Sequence, residues 1–240
     1  MFKTRSTKLE RIDTGDYTPA EYETFMREIA FINRYLGDRR ALKKSLLKEI
    51  ERLWSDEEDN SVVSVLDVGS GSGELLRYIA EFVRGAGRKC SLTGIDLNEL
   101  SATTTLSRST DFPEISSIRG DAFRLPFADG SFDYAISSLF FHHLTDEQIP
   151  LVAGEMSRVA RRGVYIIDLH RHPMAYILYK LFCFAFRISP LVREDGLLSI
   201  LRGFKSQELK EKSERPNLST VRVSEYFPFR LVLRSKTNQS

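Results

Sequence analysis

Three groups of residues in this chain have types and spacings that could do chemistry: a glycine run, a set of acids that each follow an apolar stretch, and two adjacent histidines. The glycine run sits inside Val65-Leu66-Asp67-Val68-Gly69-Ser70-Gly71-Ser72-Gly73-Glu74, which reads as a strand, a tight turn and a helix start. Glycine allows close approach of the backbone to a ligand and positive φ. A dinucleotide fingerprint ends on glycine or alanine and lays a pyrophosphate on the helix N-terminus. Here Glu74 holds that place, and a carboxylate in the first turn suits the helix dipole but repels a pyrophosphate. No lysine follows in the manner of a P-loop, so nucleoside triphosphates are disfavoured too. A zwitterion bearing a sulfonium cation suits such a lip better than a phosphate.

The acids come next. Asp96 closes Leu92-Thr93-Gly94-Ile95-Asp96 about 20 residues beyond the glycines, where a doubly wound sheet places a carboxylate over a ribose diol. An acid there can also be a plain helix N-cap. Asp121, in Gly120-Asp121-Ala122, can accept from an exocyclic adenine amine or simply bond loop amides. His142 and His143 follow the apolar segment Phe132–Ser138, and an imidazole is the side chain suited to accept a proton near neutral pH. Adjacent side chains do not readily face one pocket, so His142 is taken as the candidate base and His143 as a packed or capping residue beside it. Asp168 closes Val164–Leu169, where it could orient the histidine or bond loop amides. His170 and His172 are second-rank candidates.

These residues need a scaffold that brings strand ends together. Thr18-Pro19-Ala20-Glu21 has capping-box spacing with proline at the first helical position, predicting a helix from Pro19 to about Leu36. Leu42, Leu46, Ile50 and Leu53 share one face of a second helix. Ser55–Asn60 is a polar break. From Val62 the pattern changes to strands at Val62–Asp67, Cys90–Asp96, Ile115–Arg119, Phe132–Ser138 and Val164–Leu169. Helices at Gly73–Val83, Asn98–Ser107 and Gln148–Ala160 lie between them. Such alternation means βαβ units and a Rossmann-like, doubly wound, mostly parallel α/β sheet. Ser219–Tyr226 and Arg230–Ser235 add an antiparallel C-terminal hairpin, for seven strands in all. The expected organisation is a helical cap over 1–60 and a ligand-binding domain over 61–240, with a helical lid insert at 170–212.

Composition narrows the function classes. A net charge of +2 over 240 residues, with 42% hydrophobic and 28% charged, gives no bulk reason to expect a nucleic-acid partner. Cys90 and Cys183 lack metal or redox spacing, so reduced thiols and a cytoplasmic setting are expected. The apolar run Met174–Ile188 is broken by Lys180 and Arg187 and is too short to span a bilayer.

The segments VLDVGSGSGELL, TGIDLN, RGDAFRLPFADGSFDYAISSLFFHHL and EMSRVARRGVYIID, in this order from Val62 to Asp168, resemble class I S-adenosylmethionine-dependent methyltransferases. Within that family the chain looks most similar to small-molecule enzymes of the quinone-biosynthesis and natural-product type. The resemblance implies S-adenosyl-L-methionine as methyl donor and S-adenosyl-L-homocysteine as product. By position, Gly69, Ser70 and Gly71 would meet the donor through main-chain atoms, and Asp67 would orient its amino group. Asp96 would take the ribose hydroxyls with Leu97 against the adenine face, Asp121 and the Ala122 amide would read the adenine edge, and Ser138 would line the methionine moiety. His142, His143 and Asp168 would form the catalytic group. No metal is expected, since the acids of a magnesium-dependent catechol-type site are missing after the fourth strand.

The implied reaction is methylation of an oxygen or carbon on a hydrophobic, aromatic small molecule. The insert supports it: Met174–Ile188 gathers Tyr176, Lys180 and Arg187 on one stripe and apolar side chains elsewhere, as a buried cap helix or as a lid over an apolar pocket that touches a membrane surface peripherally. Two alternatives remain open, a methyltransferase acting on RNA or protein and a donor-binding protein without transferase activity.

Overall fold

The computed structural model describes residues 2–56, 62–214 and 218–237. Thr18 caps helix α2 as its sequence predicts: its hydroxyl accepts from the Glu21 amide, and the Glu21 carboxylate accepts from the Thr18 amide at 2.8 Å. A short turn α1 (Arg11–Thr14) precedes α2 (Pro19–Tyr35). Gly37, at φ 103°, turns the chain into α3 (Asp38–Leu42), a π turn (Lys43–Leu47) and α4 (Lys48–Asp56). Leu42, Leu46 and Ile50 are fully buried on the expected face. Of the polar break at Ser55–Asn60, residues 57–60 lie outside the described residues.

The sheet has seven strands in the order β3-β2-β1-β4-β5-β7-β6. Strands β1 (Val63–Val68), β2 (Cys90–Asp96), β3 (Ile115–Arg119), β4 (Phe132–Ser138) and β5 (Ala160–Leu169) are parallel. Strands β6 (Leu218–Tyr226) and β7 (Arg230–Thr237) form the hairpin, with β7 antiparallel to β5. Helices α5 (Glu74–Gly85), α6 (Glu99–Ser107) and α7 (Ile149–Val159) make the crossovers. Central strands β1 and β4 are almost wholly buried, as parallel strands covered on both faces must be. One apolar cluster, with Leu66, Ala135, Val152 and Met156, fills the α7 face; another, with Val65, Ile136, Leu76 and Ile79, fills the α5 face.

Two stretches differ from the sequence expectation. Strand β5 begins at Ala160, ahead of the expected Val164. Arg161 and Arg162 hide it in the sequence by breaking the apolar run, and both guanidinium groups bond buried Asp133 at 2.9 and 3.0 Å. Besides α8 (Pro173–Ala185) the insert holds α9 (Pro190–Arg202), which carries no clear helical stripe in the sequence; α10 (Ser206–Ser213) starts where Ser206-Gln207-Glu208-Leu209 reads as the start of a helix. Helices α8 and α9 pack on α2 through Ile32, Ala175, Tyr179, Cys183, Val192 and Ile200. Because strand order reverses between β1 and β4, loops diverge at the carboxyl ends of those strands, leaving a crevice that the N-terminal helices and those of the insert cover.

Candidate active site

The crevice is a cavity of about 1000 Å³. Eleven of the twelve residues expected to bind the donor or form the catalytic group line it: Asp67, Gly69, Ser70, Gly71, Asp96, Leu97, Asp121, Ala122, Ser138, His142 and His143, with Glu74 and His170 also on its wall. Asp168 is fully buried directly behind His142. Tyr17 and Tyr22 stack at the rim, ring centroids 5.3 Å apart.

The floor is built by the β1 turn. Gly69, Gly71 and Gly73 all have left-handed φ, and a side chain at Gly69 would strike Phe140 at 2.8 Å. Gly71 meets nothing within 4 Å, so open space lies over its backbone. Asp96 ties the turn to β2: its two oxygens accept from the amides of Gly71 and Asn98, each at 2.9 Å. Asp121 takes the Phe123 amide through one oxygen at 2.9 Å. Both acids therefore hold loop amides and keep lone pairs for a further donor. Leu97 is 66% exposed, an apolar surface beside them.

Whether these residues fit the expected donor is decided by the groups left unpaired. Asp67 is 3% exposed, and its Oδ1 has no hydrogen-bond partner; the buried Ser70 Oγ has none either. Buried orphans of this kind are unusual and call for a ligand. Burial, followed by the neighbouring charge of Asp96, pushes the Asp67 carboxyl up to about 7. A carboxylate held there gains from a cation at its open side. The set of an orphaned acid, an open glycine turn and a second acid at the end of β2 fits a zwitterionic nucleoside such as S-adenosylmethionine. Glu74 plays a smaller part than its position suggested. Its carboxylate bonds the Arg39 guanidinium at 3.0 Å, so the repulsive lip is largely answered within the protein.

A second corner of the cavity holds the histidines. The turn Phe141–His143 is a single 3-10 turn, which keeps both rings on the same wall with centroids 4.3 Å apart. The expectation that adjacent side chains diverge fails here because the backbone coils tightly instead of running extended. Asp168 grips His142 twice, from the backbone amide to Oδ2 at 3.0 Å and from ring Nδ1 to Oδ1 at 2.7 Å. Burial alone would raise the Asp168 carboxyl, but the His142 charge and these bonds hold it below the usual carboxylate range. His143 Nδ1 meets Asp13 at 2.8 Å. Burial works against its charge, and the bond to Asp13 with the charges of Glu10 and Asp13 outweighs it, so His143 is raised. His170 and His172 lie apart from this corner: His170 faces Glu225 at 3.8 Å, and His172 caps α8 through the Met174 amide.

Sequence reasoning missed the residues that close this corner from the N-terminal segment and from the insert. Glu10, 3% exposed, lies with Oε1 at 3.9 Å from His142 Nε2. Arg202 donates to the carbonyls of His142 at 2.9 Å, His143 at 2.7 Å and Lys8 at 2.6 Å. Asp195 accepts from the amides of Arg11 and Ile12. No local motif carries these contacts; Arg202 and Lys8 are 194 positions apart. Glu10, His142 and His143 bring one ligating atom each within 4.8 Å of the others, the spacing of a metal group. Arg202 Nε lies 3.7 Å from the Glu10 oxygen, so that corner already holds a cation.

Comparison with known proteins finds methyltransferases. Residues 65–163 match a family model described as "Methyltransferase domain". A ubiquinone/menaquinone biosynthesis C-methyltransferase of Rickettsia prowazekii is 37% identical over 92 residues, covering 35% of this chain and 37% of its own length. A demethylmenaquinone methyltransferase of Staphylococcus aureus is 28% identical over 119 residues, 50% of this chain and 47% of that one. The chain thus matches less than half the length of these curated relatives. Among solved structures, a SAM-dependent methyltransferase from Aquifex aeolicus superposes with TM-score 0.59 at 17% identity, covering 92% of this chain and 99% of that one. Magnesium protoporphyrin IX methyltransferase from Synechocystis PCC 6803, with bound SAH, gives 0.60 at 13% identity over 95% and 100%.

Proposed function

We propose that this chain, which carries a class I S-adenosylmethionine-dependent methyltransferase domain, transfers the donor's methyl group to an oxygen or carbon of a lipophilic aromatic small molecule. The observation that carries the proposal is the meeting, in one cavity, of the glycine turn with its orphaned Asp67 and of His142 backed by Asp168. When bound, the donor supplies an electrophilic methyl group on a sulfonium centre. The chain then has to hold an acceptor in line, exclude water and remove a proton from a hydroxyl. Helices α2 and α8 wall the acceptor side with Phe25, Met26, Ile29, Leu178 and Phe182. Such walls desolvate a ring but offer few partners to a sugar or a polyanion.

His142 is assigned as the base. A carboxylate only accepts, so the bond that Nδ1–H donates to Asp168 fixes that tautomer and leaves Nε2 free to take a proton. His142→Ala is expected to lower turnover by about 10²–10⁴-fold while S-adenosylhomocysteine affinity changes little. Calorimetry and steady-state kinetics check the two halves separately. Transfer of labelled methyl groups to a panel of alkylphenols, quinol precursors, total RNA and a protein extract tests the proposal as a whole. Labelling confined to RNA or protein, or absent throughout, would overturn it.

Helix α8 also turns a second apolar face outward, where Met174, Ile177, Leu181, Phe184 and neighbouring Phe186 are exposed, Phe184 to 85%. No acid occurs between Arg171 and Arg193, while Lys180 and Arg187 are exposed beside that face. We read this face as a peripheral contact with an anionic bilayer, from which a lipophilic acceptor would reach the cavity behind it.

A further inference from the structure

Nearly every buried acceptor in a folded protein has a donor. Glu10 departs from that rule in one atom. Its Oε2 accepts from the Ser199 hydroxyl at 2.8 Å, whereas buried Oε1 has no hydrogen-bond partner. Arg202 Nε lies 3.7 Å and His142 Nε2 3.9 Å from Oε1, and a His143 ring nitrogen lies within 4.8 Å of the carboxylate. The Arg202 Nε–H is already given to the His142 carbonyl. With Nδ1–H committed to Asp168, the neutral His142 ring presents Nε2 as an acceptor. Two acceptors therefore face each other, and neither is satisfied.

A proton arriving at Nε2 turns this mismatch into a complementary pair. The geometry points to Glu10 as a positioning residue for proton removal by His142, an inference that rests on the base role proposed above. In the step itself the acceptor's O–H bond breaks, the Nε2–H bond forms, and the electron pair stays on the oxygen that is to be methylated. The resulting imidazolium lies between two carboxylates, Asp168 behind it and Glu10 beside it. Once the product oxygen is methylated it competes poorly for the N–H, and Oε1 is the acceptor left within reach. An interaction that strengthens only as charge develops on His142 lowers the barrier instead of merely tightening binding.

The other charged groups around His142 do not replace Glu10. Arg202 and Arg5 bond its carbonyl oxygen, Asp13 is taken up by His143, and His143 itself, its ring 4.3 Å away, opposes charge on His142 whenever it is protonated. Glu10 is also set apart by its origin: it arrives on the N-terminal segment, so the base is complete only when that segment is docked. Asp195 and Arg202 do the docking.

The test is Glu10→Gln, which keeps the shape and the Ser199 contact and removes the charge. In protein labelled at its histidine ring nitrogens and saturated with S-adenosylhomocysteine, NMR titration follows His142 directly. The expected result is a midpoint lower by at least about one pH unit than in the wild type, from loss of a carboxylate at that distance, with Glu10→Asp recovering part of the difference. A midpoint unmoved in Glu10→Gln would overturn the inference. In the kinetic arm, 4-alkylphenols and their more acidic 2-nitro counterparts serve as probes with S-adenosylmethionine. Glu10→Gln should lower kcat about 10-fold or more for the alkylphenols and much less for the nitrophenols, which arrive already ionised. An equal fall for both would mean a structural role. If the wild type methylates no phenol while the His142 midpoint still shifts, the reading of the substrate falls and that of Glu10 stands.

Discussion

At the scale of single residues, Asp67 carries the sharpest expectation. Burial and then Asp96 hold its carboxyl up at about 7 in the protein without ligand. A bound ammonium or sulfonium cation favours the ionised form, so binding must expel the proton wherever Asp67 is protonated. Affinity for S-adenosylhomocysteine, which keeps the amino group, should therefore be level above about pH 8 and fall below about pH 7, approaching tenfold per pH unit. Asp67→Asn should weaken binding at pH 8 and flatten the slope. Calorimetry across this range decides it, and a wild-type affinity independent of pH would remove Asp67 from the donor's charged end. Asp67 was legible in the sequence because strand, turn and helix start are contiguous. Glu10 was not, because its meaning depends on Ser199, 189 positions away, and on a histidine in another loop.

At the scale of elements, the N-terminal segment is the part that local patterns describe least and that the site needs most. The Thr18 capping box marks where α2 begins and a cap over 1–60 is expected, but no motif in residues 2–17 marks which of them reach the histidines. Their hold is polar and long-range. Buried Asp195 bonds the Arg11 and Ile12 amides at 2.9 and 3.0 Å, and fully buried Arg171 reaches the carbonyls of Phe2 and Lys3. Asp195→Ala strips two amides of a charged partner and should cost about 1.5–3 kcal/mol locally. Hydrogen exchange should then quicken in residues 2–17 while β1 and β4 keep their protection; unchanged exchange in the segment would mean that other contacts suffice. The pair of His143 and Asp13 adds a pH window to the same clasp. Asp13, which burial alone would raise, is lowered by its bond to His143, so its contribution is lost as pH falls through that lowered value. His143 is raised, so its contribution is present at low pH and lost as pH rises through the raised value. The clasp is strongest between the two limits. Helix α9, which supplies Asp195 and Arg202, escaped sequence reasoning for a related reason: it buries both of these charged side chains, so its inward face does not read as apolar.

At the scale of the whole molecule, the question is what the outward face of α8 meets. The sequence left Met174–Ile188 open between a buried cap and a lid, because a helix apolar nearly all round fits either. In the folded chain Ala175, Tyr179 and Cys183 point inward to α2 and α9, and the opposite side stays bare. No helix among the described residues is long and apolar enough to cross a membrane. A net charge of +2 hides the local balance, since Lys180 and Arg187 flank the bare face without an acid between Arg171 and Arg193. Apolar insertion and basic flanks together favour anionic lipid, each nearby cation contributing about 1 kcal/mol at low salt. The protein should therefore float with vesicles of mixed phosphatidylcholine and phosphatidylglycerol, bind pure phosphatidylcholine much less, and be released as salt shortens the Debye length. Leu181→Glu with Phe184→Glu places two charges on exposed positions and should abolish flotation while leaving the thermal midpoint and donor affinity unchanged. Equal binding to neutral vesicles would remove the role given to the two cations. A dimer that the double substitution dissociates, with no flotation by the wild type, would assign the face to a second copy of the chain. Retained activity on a detergent-dispersed acceptor, with loss only on the same acceptor embedded in anionic vesicles, would tie the face to substrate entry, because the cavity and its chemistry lie on the other side of the helix.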